Sequence, residues 1–100
     1  MTTQAGSNPG GVALRGVVRT MITPNLAEAA TEHIALGASI GIANPINAQL
    51  GNRLLFLVQS NGFAINWGSA FATSYQPPAG TTIAMEYYFD GSKWWLLYHS

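Results

Sequence analysis

The side chains able to move a proton or hold a metal are few, and their spacing suits neither task. His33 and His99 are far apart in the chain, and neither belongs to a His-Glu-x-x-His arrangement that would set two imidazoles on one helix face. Glu32 adjoins His33 and could orient it as a base, but successive residues of a strand point to opposite faces. Glu28 and Glu32 would share a face if their segment were helical, where a solvated surface is the simpler account than general acid and base work. Glu86 interrupts an apolar run, where an unpaired carboxylate is costly, so it calls for Arg53, a cation from a neighbouring subunit, or an edge open to water. The chain has no Gly-x-Ser-x-Gly elbow and no glycine loop opening a strand-to-helix unit that would cradle phosphate. These residues assign no catalytic group, no cofactor and no metal site. Trp67, Tyr75, Trp94 and Trp95 would stack on sugars if exposed; in so small a domain, aromatic rings chiefly supply burial.

Composition points the same way. Four basic and four acidic residues make only 8 % of the chain, against 48 % hydrophobic, whereas an ordinary soluble domain is about 25 % charged. No apolar run approaches the roughly 20 residues that span a bilayer. A lone monomer of this composition would expose much apolar surface, which argues for burial against copies of itself or within a large assembly. The net charge of +0 lacks the basic footprint expected of a nucleic-acid binder. Absence of cysteine removes disulfides, thiolate zinc sites and a cysteine nucleophile, and leaves the redox compartment open. The first residues carry neither the basic start nor the apolar stretch of a secretory signal, so synthesis in the cytoplasm without processing is expected.

The positioning elements read as strands. Residues 1–11, rich in Gly with Pro9, cannot bury enough surface to order alone and form an arm. Val12 to Thr20 reads as a first strand with Arg15 and Arg19 on one face. Ile22 to His33 is the only stretch with helical signals, Thr23 as a cap and Pro24 at the first helical position; the preferred reading sets strands at Glu32–Leu36 and Ala38–Ala43 instead. Arg53 to Ser60 is apolar at five consecutive positions, which predicts a central strand covered on both faces. Asn61-Gly62 is a tight-turn signal that predicts a hairpin with Phe63 to Trp67. A long loop, residues 68–80, follows. Thr82–Asp90 and Lys93–His99 then make the clearest hairpin: Gly91-Ser92 suits a type II′ turn and opposes Asp90 to Lys93, Phe89 to Trp94 and Tyr88 to Trp95. Both faces of this hairpin are apolar, so the second face needs a cover from another sheet or subunit. The predicted fold is all-β, a small antiparallel β-sandwich or barrel-like domain.

From about Ile22 to Tyr98 the order of signals resembles a β-domain of tailed-bacteriophage virion proteins, found in fibres, spikes and capsid-decorating proteins. The carrying residues are Ile42-Ala-Asn-Pro-Ile46, Gly51-Asn-Arg-Leu-Leu-Phe-Leu-Val-Gln-Ser-Asn-Gly62, Ile65-Asn-Trp-Gly-Ser-Ala-Phe71 and Tyr87-Tyr-Phe-Asp-Gly-Ser-Lys-Trp94. The resemblance implies a homotrimer with a structural role in the particle. The first twenty residues fall outside the pattern, and no triple-stranded shaft accompanies it, which favours a compact capsid decoration or head fibre over a long tail fibre. On this reading residues 1–20 attach the domain and residues 21–100 trimerise. The expected trimer interface comprises Phe56, Val58, Tyr87, Tyr88, Phe89, Trp94, Trp95 and Tyr98. The expected attachment residues are Pro9, Val12, Leu14, Arg15, Val17 and Arg19. Partners would be the chain itself and the major capsid protein or another virion protein, with no nucleic acid, no membrane insertion and the virion as location. The alternative is the receptor- or glycan-binding tip of a tail fibre, with the loops around Asn44–Asn52 and Ser69–Gly80 facing the host.

Overall fold

A computed structural model describes residues 11–100; the arm residues before Gly11, Pro9 among them, lie outside the described residues. The chain forms seven strands, with no helix among the described residues: β1 (Gly11–Val18), β2 (Ala29–Leu36), β3 (Ile40–Ile42), β4 (Arg53–Gln59), β5 (Ile65–Trp67), β6 (Thr82–Phe89) and β7 (Trp94–His99). β1, β2, β4, β6 and β7 make one sheet in that order, while β3 and β5 make a second, smaller one. The all-β expectation is met, but the sheet is mixed rather than antiparallel. β1, β2 and β4 run parallel, β6 and β7 add antiparallel partners, and β3 pairs with β5 in parallel.

Parallel neighbours oblige the chain to return between them. It does so in extended segments rather than helices, and these segments stitch to one another as a second layer. The first two returns are bound by backbone bonds from Ile22 N to Gly41 O (3.0 Å), Ala43 N to Ile22 O (2.9 Å), Leu26 N to Ile46 O (3.0 Å) and Ile46 N to Pro24 O (2.9 Å). The connection from β4 to β6, which are antiparallel, joins the same layer through Ile40 N to Ala64 O (3.2 Å) and Gly68 N to Ile42 O (2.8 Å). The helical signals at Thr23-Pro24 produce a single turn, in which Asn25 O accepts from the Glu28 and Ala29 amides, and β2 begins directly after it.

The Asn61-Gly62 turn forms, with φ of 51° and 82°, yet it does not make the expected hairpin. Both flanks of β4 are occupied, by β2 and β6, so the chain leaving the turn crosses to the second layer and β5 pairs with β3 instead. The final hairpin holds its expected register, Phe89 against Trp94 and Tyr88 against Trp95, with Gly91 at positive φ. Its charges do not pair: Lys93 Nζ donates to Ser69 O at 2.9 Å, while Asp90 Oδ1 accepts the Ser92 and Lys93 amides.

The core fills the space between the layers. Ile34, Leu36, Leu54, Phe56, Val58, Met85 and Tyr87 project from the large sheet onto Ile22, Leu26, Ile40, Ile42, Ile65 and Phe71. Phe56 packs edge-on against Trp67 and Tyr87 with ring centroids 5.4 and 5.9 Å apart. The Tyr87 hydroxyl is buried without a hydrogen-bond partner, and desolvation pushes its pKa well above the ordinary phenol range. Asn44 clamps the second layer: its side chain accepts the Ala70 amide at 2.8 Å and reaches Ser69 Oγ at 3.3 Å. Gly68 lies so close that a β-carbon there would stand 2.3 Å from Asn44 Oδ1 and 2.8 Å from Asn44 N. Gly68→Ala is therefore expected to lower stability by about 1–3 kcal/mol through overpacking. Urea unfolding checks this; an unchanged midpoint would show that the clamp relaxes without cost.

Candidate functional site

Alternation along a strand divides the large sheet into two faces. One carries the core just described. On the other, the register aligns Leu14, His33, Leu57 and Ala84 in one row, and Val12, Thr31, Leu55, Glu86 and Tyr98 in the next. Arg53, Tyr88 and Trp95 form a third row. No element of the described chain covers this face, although most of its side chains are apolar. The expectation that β4 is covered on both faces holds only in part for Leu55 and Leu57, which are partly buried while Leu54, Phe56 and Val58 are fully buried.

Solvent exposure is greatest at the two edges of this face. Leu14 on β1 is 72 % exposed, and Trp95, Leu97 and Tyr98 on β7 are about half exposed. β7 is an edge strand, and its ladder with β6 slips one residue between Glu86 and Tyr87, which leaves Leu97 without a partner in the ladder. Toward β1 the face is hollowed instead. Gly16 and Ala35 leave a groove of about 340 Å³ between Leu14, His33, Leu57 and Gln59. Glu86 finds the expected Arg53, with Arg53 Nη1 3.7 Å from its Oε1. The Arg53 guanidinium also lies 5.9 Å from the Tyr88 ring centroid. Glu86 is the one carboxylate that the strand register places on this face among the described residues.

Of the eight residues expected at a trimer interface, Phe56, Val58, Tyr87 and Trp94 are corrected: they are buried in the subunit's own core. Phe89 stacks on Trp94 with centroids 4.8 Å apart, on the core side. Tyr88, Trp95 and Tyr98 are the members that reach the open face. The residues missed are His33, Leu55 and Leu57, while Leu14, expected among the attachment residues, also lies on this face; the period-two alternation of β4 would have flagged both β4 leucines once one face was known to be covered.

The aromatic residues considered for sugar stacking do not form a platform. Trp67 Nε1 donates to Tyr75 O at 2.6 Å, Tyr75 stacks on His99 at 4.1 Å, and Trp94 is buried. Trp95 is exposed, but its Nε1 donates to Asp90 Oδ2 at 2.7 Å. The Lys93 amide, the Trp95 indole and the Ser92 amide together hold the Asp90 carboxyl below its ordinary range. Glu32 and His33 occupy opposite faces as alternation requires, and no three His, Asp or Glu side chains converge to hold a metal among the described residues.

At the β1 edge the five expected attachment residues within the described chain separate. Leu14 and Val17 are exposed, and a groove of about 650 Å³ runs along the strand past Arg15, Arg19 and Glu28. A register shift between Leu14 and Gly16 breaks the alternation that would set Arg15 and Arg19 on one face. Arg15 instead binds Glu32, which is only 1 % exposed, through a short Nε–Oε1 contact and a second bond from Nη2 to Oε2 at 3.5 Å. The pair ties the edge strand to β2. Arg15→Ala would strand a buried carboxylate and is expected to cost about 3 kcal/mol, whereas the double replacement Arg15→Met with Glu32→Leu should cost far less. Denaturation of the three proteins checks this; an Arg15→Ala protein as stable as the parent would show that Glu32 is solvated.

Comparison of the chain with protein-family models, with curated sequences and with solved structures finds no match.

Proposed function

We propose that the chain is a structural subunit of a tailed-bacteriophage particle: a homotrimeric capsid-decoration protein of the head-fibre type, without catalytic activity. The observation that carries the assembly is the open face of the large sheet. A five-stranded face bearing Leu14, Leu55, Leu57, Tyr88, Trp95 and Tyr98 is covered by no element of the described chain, and contiguous exposed apolar surface is a mark of interaction sites. Its strands carry one ion pair, Arg53 with Glu86, and the Asp90 carboxylate sits at the rim beside Trp95, as expected of an interface centre depleted in charge. The phage assignment rests on the ordered signals from Ile42 to Trp94.

Attachment is assigned to residues 1–20. Among the described residues β1 is an edge strand with no neighbour on its outer side, and Leu14, Val17 and Arg19 lie exposed along it, a surface suited to strand addition. Arg15 is committed to Glu32, so Arg19 is the cation left to meet an acidic partner on the particle. The glycan-tip reading draws less support, because three of its four aromatic residues are packed within the subunit.

Deletion of residues 2–11 is expected to leave a folded trimer that binds stripped particles weakly or not at all, as read by co-sedimentation. Full-strength binding by the truncated protein would refute the attachment role. Electron microscopy of intact particles should place copies across the capsid; copies at the tail tip alone would return the assignment to receptor binding.

A further inference from the structure

Six of the seven asparagines in the chain precede Pro, Leu, Ala, Arg or Trp, and Asn61 alone precedes Gly. A side-chain carboxamide is open to attack by the backbone nitrogen of the residue that follows it, and Gly, with no β-carbon, hinders that approach least. The fold leaves both partners accessible. Asn61 and Gly62 are exposed in the turn after β4, and a β-carbon added to Gly62 would meet no atom within 4 Å.

The same asparagine ties the turn to the sheet. The β2–β4 ladder ends at Ala35 and Gln59, and the Ser60 amide is directed to Thr81 O on the β6 side. Asn61 Nδ2 supplies the donor that Leu36 O accepts, at 2.9 Å, and so carries the contact with β2 one carbonyl further. Gln59 Nε2 donates to Asn61 Oδ1 at 3.3 Å. Phe63 N donates to Ser60 O at 3.0 Å, which with φ of 51° at Asn61 and 82° at Gly62 makes a type I′ turn. Closing a five-membered ring between the Asn61 side chain and the Gly62 nitrogen requires the Leu36 bond to break and the turn to open.

We propose that Asn61 is a site of spontaneous deamidation, paced by opening of this turn, and that the product releases the turn from β2. The Gly62 backbone nitrogen loses its proton to solvent base and bonds to Asn61 Cγ, while the bond from Cγ to Nδ2 breaks and the nitrogen leaves, protonated, as ammonia. Water then adds to one of the two carbonyls of the cyclic imide and opens it, leaving aspartate or its β-linked isomer. Either product sets a carboxylate oxygen where Leu36 O had a donor. Two acceptors then face each other beside a residue only 1 % exposed, where an unmade hydrogen bond is costly. The β-linked isomer also lengthens the backbone of the turn by one atom, which a type I′ turn does not accommodate.

The test incubates the full chain in mildly alkaline buffer, folded and in urea, and follows each asparagine by peptide mapping and mass spectrometry. Asn61 should be the first of the seven to convert in either form, and roughly tenfold slower in the folded chain, a factor that the two hydrogen bonds of the turn suffice to supply. An unchanged Asn61 in the folded chain, earlier conversion of another asparagine, or equal rates in the two forms would overturn the proposal. Asn61→Asp reads the consequence separately. Its urea midpoint should fall below the parent's at neutral pH, and most of the gap should close at about pH 3, where a protonated carboxyl can again donate to Leu36 O. Equal midpoints at neutral pH would overturn the release of the turn.

Discussion

Parallel pairing of β1, β2 and β4 is the constraint from which the rest of the molecule follows. Parallel neighbours cannot be joined by a tight turn, so each connection must travel the length of the sheet before the next strand begins. The usual solution is a crossover helix that covers the sheet with its apolar stripe. Here the returns are extended segments bearing Pro24, Pro45 and several small residues, and they satisfy their backbone groups by bonding to one another. Both returns lie on the same side, and the connection from β4 to antiparallel β6 joins them there through the β3–β5 pair. The sheet is therefore roofed once, and the roof with its aromatic cluster around Phe56 is the whole of the subunit's core.

The consequence falls on the other face. β4 carries five consecutive apolar residues, of which Leu54, Phe56 and Val58 enter the core and Leu55 and Leu57 do not. Such a run is expected of a strand buried on both faces, and the fold buries it on one. The few charges are placed consistently with this division. Glu32 is neutralised by Arg15 on the core side, Glu86 by Arg53 on the open side, and Asp90 is absorbed by three N–H donors in its own turn. What remains on the open face is chiefly apolar surface, hollowed between Leu14, His33 and Leu57 and exposed at Trp95 and Tyr98.

The parts of this arrangement that could be read from sequence are those decided locally. The Thr82–His99 hairpin, its register, and the Arg53–Glu86 pair follow from turn chemistry and from opposing residue types. Parallel order does not, because it depends on which strands, distant in the chain, occupy the two flanks of β4. The Asn61-Gly62 turn forms as its residues require, and still fails to make a hairpin once β2 and β6 hold both flanks of β4. The same limit explains the misplaced interface residues. Trp94 and Trp95 are adjacent and chemically alike, and only the position of the second layer determines which is buried. The Arg15–Glu32 pair was hidden for a different reason: it depends on a bulge in β1, and nothing in the residues Leu14-Arg-Gly16 beyond the glycine marks one.

The central claim is that one face of the sheet makes the fold and the other makes the assembly. Sedimentation velocity of Leu57→Asp beside the parent tests it most directly, because Leu57 lies near the middle of the open face and touches neither the roof nor the edges. The account predicts a parent with the mass of three chains and a Leu57→Asp protein that sediments as one folded chain. A parent that sediments as a single chain, or a Leu57→Asp protein that stays trimeric, would contradict it.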